Sequence, residues 1–513
     1  MKQVLKRILR KPFNRTSRDI LILILFVVSA YVLVFDSKLS NDGDNLEFWL
    51  MAKSLASGDG YVKVWELNSP PQKLIPPAYS LFISMFMRMG IDSFVFVKIL
   101  NGILLLSSTI ICYFIFLRLV DRNSALLVSI AIGICPILMR HATVMWSESL
   151  FMLCSYGTVL VFFVNEDANK FESMLPVLLL AFLAALSMYT RAIGISLVAA
   201  LFVYFLLRKR WKVALLFSSV TLLLMLPWLM RIKSLEEYEY VRVVLRVNPY
   251  DPELGASDVT SLMIRFAENL LAYVSDALPK IFYLHPTWIK YSWTTFNLMS
   301  GMLIITLMIF GAYTNRRHIG FVSLYTALTC GILLFYPKPY YNQGFLIPLI
   351  PLIIFYFYQG VIRLITLIAA EVPLISGREI YSVSFLLIFQ MYSLIDLHTL
   401  ARWHISEKWT NYFESAIWAK DNTKPDALFS CRKGQFFYYY SGRKTTRYKY
   451  TYDSDQLISG LIESGVDYVV IDELGFSSTG KFLLPALNDF SEKFDTVYVR
   501  GSIAPAVILK VKP

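Results

Sequence analysis

Long apolar runs alternate with short polar segments along the first four hundred or so residues of the chain. Runs of about 15 to 23 residues are long enough for an α-helix to cross the hydrocarbon core of a bilayer. The pattern therefore predicts about eleven membrane-spanning helices. Their expected ranges are 20–35, 95–117, 125–139, 149–164, 174–189, 193–207, 213–230, 298–313, 320–335, 345–360 and 380–397.

Two further apolar segments are short. Residues 76–89 begin with a pair of prolines, which favours a helix that lies on the outer surface or re-enters it rather than one that crosses. Residues 362–375 form an alternative span that contains Glu371 and Pro373. Counting this segment would invert the orientation of everything that follows it.

The pattern changes at residue 401 to short strands alternating with amphipathic helices, which is typical of a small α/β domain. About 110 residues are enough for such a domain to have its own core. Neither a GxGxxG nor a Walker pattern occurs in it, so we expect no nucleotide cofactor. Helices are expected at 414–420, 455–464 and 481–494, and strands at 426–430, 466–472 and 506–511.

The composition agrees with a membrane protein. Hydrophobic residues make up 56% of the 513 residues and charged residues only 17%, against about 25% in soluble proteins. The net charge of +12 comes from basic residues in short tracts between the apolar runs. That distribution follows the positive-inside rule and argues against a nucleic-acid partner. The fold class predicted is an α-helical multispanning membrane protein with a small C-terminal α/β domain.

The charge pattern also predicts an orientation. The basic segment 1–19 is expected in the cytoplasm, followed by a retained signal anchor in a membrane domain at 20–400. Long outer loops are expected at 36–94 and 231–297. An odd number of spans places 401–513 outside the inner (plasma) membrane. The five cysteines show no disulfide or zinc spacing.

The loop after the first span contains the most informative polar stretch, SNDGDNLEFWLMAKSLASGDGY. Asp42 and Asp44 flank a glycine immediately before an amphipathic helix that we expect to begin near Asn45. A carboxylate there is stabilised by the helix N-terminus, which also favours a phosphate ligand. Asp44 is therefore either a helix cap or a reactive group.

Further polar residues at span ends fall on the side predicted to be outside. Each arginine alone is accounted for by snorkelling to lipid headgroups, and His141 alone by an interfacial position. Together they suit transfer of a group from a lipid phosphate, because a carboxylate can take the proton of an attacking hydroxyl and a guanidinium can stabilise the departing phosphate. The residues are Asp42, Asp44, His141, Glu148, Arg191, Arg231 and Lys338.

The Asp42–Asp44 sequence DGD resembles the DxD motif of soluble glycosyltransferases, in which two carboxylates hold a divalent metal for a nucleotide sugar. Nucleotide sugars are cytoplasmic, whereas this loop is predicted outside. Two carboxylates with water ligands can still bind Mg²⁺ or Mn²⁺. The sequence leaves metal dependence undecided.

Seven short motifs in order resemble those of the C-type (GT-C) polyprenyl-phosphate-sugar glycosyltransferases, the superfamily of protein O-mannosyltransferases and lipid A aminoarabinose transferases. They cover residues 20–360, and WAKDNTKPDALFS and YYYSGRKT extend the resemblance into the C-terminal domain. The motifs are DNLEFWLMAKSLASGDGY, PPAYSLFISMF, VKILNGILL, CPILMRHATVMWSESLF, YTRAIG, LPWLMR and IPLIPL.

The resemblance implies an inverting glycosyltransferase that moves a sugar from a polyprenyl-phosphate donor to lipid A, a glycan or a protein. It implies that Asp44 is the catalytic base and Glu148 an acid near the acceptor. Arg191 and Arg231 fall at positions near the lipid phosphate. Many relatives have arginine and tyrosine where this chain has Gly344 and Phe345, so Lys338 or Gln343 is the candidate replacement for phosphate binding.

Two other classes of protein fit some of the same features. A transporter or flippase also has many spans, but it usually has midplane charges and internal repeats, and neither is visible here. An O-antigen polymerase or ligase centres on a large late outer loop, which residues 231–297 are long enough to supply.

Overall fold

Helices make up most of the chain, as the apolar runs predict. The computed structural model describes residues 15–234, 243–283, 294–371 and 379–512. Before the C-terminal sheet, its α-helices are Arg15–Val34, Asn45–Ser57, Ala78–Arg88, Phe94–Phe116, Arg122–Gly133, Pro136–Ala142, Glu148–Asp167, Met174–Thr190, Ile195–Leu207, Trp211–Ser234, Val259–Ala272, Leu278–Phe282, Thr294–Thr314, Ile319–Phe335, Ile350–Glu371 and Glu379–Arg402.

Six helices in the described ranges are long and apolar enough to cross a membrane, and a bent pair would make a seventh. Three shorter apolar helices accompany them. This arrangement fits an integral membrane protein, although helix length and composition do not establish the predicted count of eleven. The six are Arg15–Val34, Phe94–Phe116, Glu148–Asp167, Trp211–Lys233, Thr295–Thr314 and Ile350–Ile368, and the shorter three are Met174–Thr190, Ala192–Leu207 and Ile319–Phe335.

Prolines explain two differences from the predicted spans. The span expected at 125–139 is two helices that meet at 51°, because Pro136 begins the second helix. The span expected at 345–360 instead begins at Ile350, with Pro351 in its first turn, and continues to Glu371. Residues 362–371 therefore belong to that helix and are not a separate span. The rest of the alternative segment, 372–375, lies outside the described residues.

A five-stranded mixed sheet forms the C-terminal part. The strand order is β2-β1-β3-β5-β4; β1 pairs in parallel with β2 and β3, and β5 is antiparallel to β3 and β4. The strands are β1 Phe429–Ser430, β2 Thr445–Thr446, β3 Tyr468–Ile471, β4 Phe494–Arg500 and β5 Ala506–Val511, and the α-helices are Glu407–Asn422, Gly434–Ser441, Ser454–Glu463 and Leu484–Asp489.

The predicted helix at 481–494 is wrong at its C-terminal end. The helix there ends at Asp489, and Phe494 already begins β4. β4 is an edge strand with few buried side chains, so it lacks the buried alternation that marks a strand in sequence. The helix predicted at 414–420 is longer and spans Glu407–Asn422.

The sheet is anchored on the segment after the first helix. One side of it has a core of its own around Leu457 and Phe482. The other side shares a buried cluster with helix Asn45–Ser57, in which Trp49 and Trp409 take part. Backbone hydrogen bonds from the Thr445 amide to the Trp65 carbonyl and from the Leu67 amide to the Thr445 carbonyl continue the sheet into this segment. The helix that follows Asp44 is therefore held by the C-terminal sheet.

A second loop also contacts the C-terminal domain. Glu253 accepts a hydrogen bond of 2.8 Å from the Thr451 hydroxyl. Asp251 accepts one of 3.0 Å from the Tyr452 hydroxyl and forms an ion pair of 3.2 Å with Lys481. The loop at Asp251 and Glu253 is therefore held against the C-terminal domain.

Candidate active site

Asp44 lies at the residue before helix Asn45–Ser57, as predicted. Its backbone carbonyl accepts hydrogen bonds from the amides of Glu47 and Phe48, at 3.0 and 3.3 Å. Its carboxylate makes no capping hydrogen bond and is exposed. The side chain is therefore not engaged as a cap. It remains available at the positive end of a buried helix, where a negative charge is stabilised.

Glu148 and Arg191 meet, although 43 residues separate them in the chain. Glu148 is the first residue of helix Glu148–Asp167 and is 8% exposed. Arg191 Nη1 donates to Glu148 Oε1 at 2.5 Å and to the hydroxyl of Ser147 at 3.3 Å. The second carboxylate oxygen of Glu148 is buried and has no hydrogen-bond partner in the described chain. The pair brings a partly exposed guanidinium to the end of the helical bundle that carries the sheet.

The turn that holds Arg191 requires Gly194. Arg191 has extended backbone angles between helix Met174–Thr190 and the short 3₁₀ helix Ala192–Gly194. A Cβ atom at Gly194 would come within 2.8 Å of the Met188 amide nitrogen, so a larger residue would open the turn. The tight turn formed by the motif YTRAIG therefore determines the position of the Arg191 backbone, from which the guanidinium extends.

A cavity of about 260 Å³ lies beside His141. His141 Nδ1 is 2.8 Å from the carbonyl of Ile137, so the other ring nitrogen, Nε2, faces inward; it has no partner within the described ranges. A Cβ atom at Gly344 would lie 2.3 Å from that nitrogen, so the ring occupies the space that a larger residue would need. The cavity is lined by Ile137, Arg140, His141, Trp146, Tyr341, Asn342 and Gln343.

Asp42 pairs with Arg140 in the cavity wall. Its carboxylate lies 3.4 Å from Arg140 Nη2, and both side chains are about half exposed. Gly43 has a φ of +55°, and a Cβ atom there would lie 3.2 Å from the Trp146 ring. Asp42 therefore faces a cation that the chain itself supplies. No group of three or more His, Cys, Asp or Glu in the described residues is placed to hold a metal ion.

The remaining predicted residues lie apart from this pair. Arg231 Nη2 donates to the Tyr61 carbonyl at 2.8 Å, in the loop after the first helix. Lys338 forms an exposed ion pair of 2.9 Å with Glu268 and does not line the cavity. Gln343 does line it, and its amide donates to Asp276 at 3.0 Å. Of the two proposed replacements for the missing arginine, only Gln343 lies at the cavity.

Three cations at one edge of the C-terminal sheet were not predicted from sequence. Burial lowers the pKa of Lys433, and the carboxylates of Asp44 and Glu47 partly offset that effect. The positive charges of Arg432 and Arg447 lower the pKa of Lys433 further. All three cations lie within three residues of the carboxyl end of a short parallel strand, the edge at which open α/β sheets bind ligands. The two strands have only two residues each, so they show no alternation of apolar and polar residues by which the sequence could have revealed this edge.

Glu47 is the most perturbed acid in this cluster. Burial, and then the neighbouring Asp44 carboxylate, raise its pKa to about 7, while Arg447, Lys63 and Lys433 act in the opposite direction. The side chain is 7% exposed. Its ionisation therefore changes the charge beside Asp44 near neutral pH.

This pKa predicts a pH-dependent stability. An acid whose pKa is raised on folding binds more protons in the folded state, so the free energy of unfolding falls as the pH rises from about 4.3 to about 7. The expected loss is on the order of 1–3 kcal/mol. Glu47→Gln lacks this titration. The melting temperature of the variant minus that of wild type should therefore increase between about pH 4.3 and pH 7, and should stay constant at higher pH. Thermal unfolding in detergent, followed by tryptophan fluorescence, measures this, with the exposed Glu463→Gln as control. A difference that does not grow with pH would contradict the assignment.

No protein-family model and no curated protein matches the sequence, but solved structures match the fold. The oligosaccharyltransferase of Archaeoglobus fulgidus, tethered to an acceptor peptide containing the NVT sequon, aligns with a TM-score of 0.59 at 12% identity over 96% of this chain and 73% of its own. ArnT from Cupriavidus metallidurans, bound to undecaprenyl phosphate, aligns with a TM-score of 0.57 at 12% identity over 95% and 97%. The predicted resemblance to GT-C glycosyltransferases is confirmed for the fold.

Proposed function

We propose that this protein is a membrane glycosyltransferase that moves a sugar from a polyprenyl-phosphate donor to an envelope acceptor, namely lipid A, a glycan or a protein. The observation that carries the proposal is Asp44, an exposed carboxylate at a helix N-terminus. It occurs in a chain whose fold matches those of an oligosaccharyltransferase solved with an acceptor peptide and of ArnT solved with undecaprenyl phosphate.

In this proposal Asp44 takes the proton of the acceptor hydroxyl as its oxygen attacks the anomeric carbon. The bond from that carbon to the donor phosphate breaks, the configuration inverts, and the polyprenyl phosphate leaves with the electron pair. A positioned carboxylate is needed because a sugar or serine hydroxyl hardly ionises at neutral pH. No nucleotide takes part.

The leaving phosphate is assigned to the region of Arg191 and the His141 cavity. Arg191 is partly exposed, and Glu148 holds its guanidinium through one nitrogen, which leaves further N–H groups to donate. Arg140 supplies a second cation at the cavity wall. In this assignment Glu148 orients Arg191. Arg231, which donates to the Tyr61 carbonyl, is assigned to the lipid end of the donor. Arg231→Lys tests this assignment in the same transfer assay as Arg191→Lys.

The proposal is tested with the full-length protein in proteoliposomes. Undecaprenyl-phosphate-linked radiolabelled sugar and an envelope extract are supplied, and mass spectrometry identifies the glycosylated product and its anomeric configuration. Wild type should transfer the label with inversion, and Asp44→Asn should not. Movement of the donor across the bilayer without transfer would identify a flippase, and joining of glycan repeat units would identify a polymerase or ligase.

The proposal also requires the site to face away from the cytoplasm. We expect the C-terminal domain and the loop after the first helix outside, and the turn at Lys209 inside. A membrane-impermeant maleimide should therefore label Ser459→Cys in intact cells and label Lys209→Cys only after permeabilisation; both positions are exposed. The wild-type protein gives the baseline, since four of its five cysteines are buried. Labelling in the reverse order would refute the orientation.

A further inference from the structure

Three cations of the C-terminal domain gather at one edge of its sheet. Arg432 and Lys433 follow β1, and Arg447 directly follows β2. β1 and β2 are parallel neighbours, so their carboxyl ends meet at the same edge. In open α/β sheets that edge is the usual ligand crevice.

Arg432 is buried at this edge against aromatic rings. It is 9% exposed, and its Nε is buried with no hydrogen-bond partner in the described part of the chain. Its guanidinium carbon lies 4.6 Å from the Phe476 ring centre, 5.6 Å from that of Tyr250 and 5.7 Å from that of Tyr450. Aromatic faces stabilise a cation, but they do not satisfy its N–H groups. A buried charge that lacks hydrogen bonds is costly unless a ligand supplies them.

The sheet edge lies beside the helix that follows Asp44. Helix Gly434–Ser441 begins directly after Lys433, and its Tyr439 ring centre is 5.7 Å from that of Trp49 in helix Asn45–Ser57. Lys433 and Arg447 both interact electrostatically with Asp44 and Glu47. The charge of Asp44 also acts on Tyr250, whose ring lies against Arg432. In the helical bundle, the charges of both Arg191 and Asp44 act on Tyr336. The charge of Asp44 therefore acts both on cations of the sheet edge and on a tyrosine of the helical bundle that Arg191 also influences.

The chemistry of an inverting transfer distinguishes these two sides. The attacking hydroxyl and the leaving phosphate lie on opposite faces of the anomeric carbon. In the proposed function Asp44 takes the proton of the acceptor, and Arg191 stabilises the leaving phosphate. Groups near Asp44 other than Arg191 and its partner are therefore assigned to the acceptor. Because those groups are cations, and the buried Nε of Arg432 lacks a hydrogen-bond partner among the described residues, the acceptor should present an anion to them.

We propose that Arg432, Lys433 and Arg447 form a subsite for an anionic group, a phosphate or carboxylate, that the acceptor carries beside the hydroxyl receiving the sugar. This inference rests on the proposed function, since that function defines which substrate lies next to Asp44. Arginine suits such a site because its planar N–H groups bind two oxygens of one anion.

The test is a binding measurement on the full-length protein in phosphatidylcholine nanodiscs. The probes are dodecyl glucoside 6-phosphate, the uncharged dodecyl glucoside, and undecaprenyl phosphate, each followed by microscale thermophoresis. Wild type should bind the phosphorylated glucoside at least about tenfold more tightly than the uncharged one. Arg447→Gln should remove most of that difference and leave the affinity for undecaprenyl phosphate unchanged. Arg447 is exposed, so this variant should fold normally.

Matched variants separate the outcomes. Arg500→Gln, in an exposed pair with Glu414 on the same domain, should change none of the affinities. Arg432→Gln should act like Arg447→Gln. Equal binding of the two glucosides by wild type, or no effect of Arg447→Gln, would overturn the subsite. Weaker binding of undecaprenyl phosphate in Arg447→Gln would show that the cations hold the donor, which also overturns it. Binding needs no turnover, so a wild type that binds the phosphorylated probe but transfers no sugar would refute the proposed function alone.

Discussion

Asp44→Asn should lower the transfer rate by about 10²- to 10⁴-fold, the usual contribution of a positioned general base. The substitution keeps the size of the side chain but removes its capacity to accept a proton. Folding should be little affected, since the exposed Asp44 carboxylate makes no capping hydrogen bond. The measurement is initial-rate transfer from undecaprenyl-phosphate-linked sugar in proteoliposomes at equal protein abundance.

Two neighbouring aspartates serve as controls. Asp59 is exposed in the same loop, and Asp59→Asn should retain wild-type transfer. Asp42 faces Arg140, so Asp42→Asn should cost much less than Asp44→Asn. If both Asp42→Asn and Asp44→Asn are inactive and added Mn²⁺ restores part of the rate, the two carboxylates bind a metal. Full activity of Asp44→Asn, or a product with retained configuration, would remove Asp44 from the role of base and bring Glu148 back into consideration.

The sequence predicts local features of this protein well. The helix after Asp44 begins at Asn45, as expected, because an acidic and glycine-containing turn precedes a strongly apolar segment. Most of the long apolar runs are helices, since a backbone in lipid has to satisfy its hydrogen bonds within the segment. The errors at Pro136 and Pro351 come from treating hydropathy alone as the guide to helix ends.

Contacts between distant segments were predicted only as a shared side of the membrane. That reasoning placed Glu148 and Arg191 on one side, and the structure brings them into contact. It also placed Arg231 and Lys338 there, but Arg231 packs on Tyr61 and Lys338 pairs with Glu268. Which residues on one side meet is decided by helix packing, which the apolar pattern does not encode.

The cations of the C-terminal domain escaped prediction for a different reason. Arg432 and Arg447 become neighbours only because β1 and β2 pair in parallel, and each strand has two residues. Strands this short show no alternation of apolar and polar residues. β2 also pairs with the loop after the first helix, where the Thr445 amide donates to the Trp65 carbonyl, and such a long-range contact leaves no local pattern in the sequence.

Arg191→Lys should lower transfer by about 10²-fold, comparable to the loss of one donor that stabilises developing charge. Lysine keeps the positive charge but loses the planar N–H groups that can bind Glu148 and a phosphate oxygen together. The loss should appear mainly in kcat, because the leaving phosphate gains charge in the transition state. The assay is the same transfer reaction, with the amount of folded protein measured by thermal unfolding.

Glu148→Gln distinguishes this role from a structural one. Arg191 neutralises a carboxylate that is 8% exposed, so a weakened pair leaves a buried charge and destabilises the protein. If that were the whole effect, Arg191→Lys combined with Glu148→Gln would regain wild-type transfer, since the buried charge is gone. A phosphate-binding Arg191 instead predicts that the double variant regains stability but stays slow. Arg500→Lys, in the exposed pair with Glu414, provides the control for an arginine without a ligand and should stay at wild-type rate.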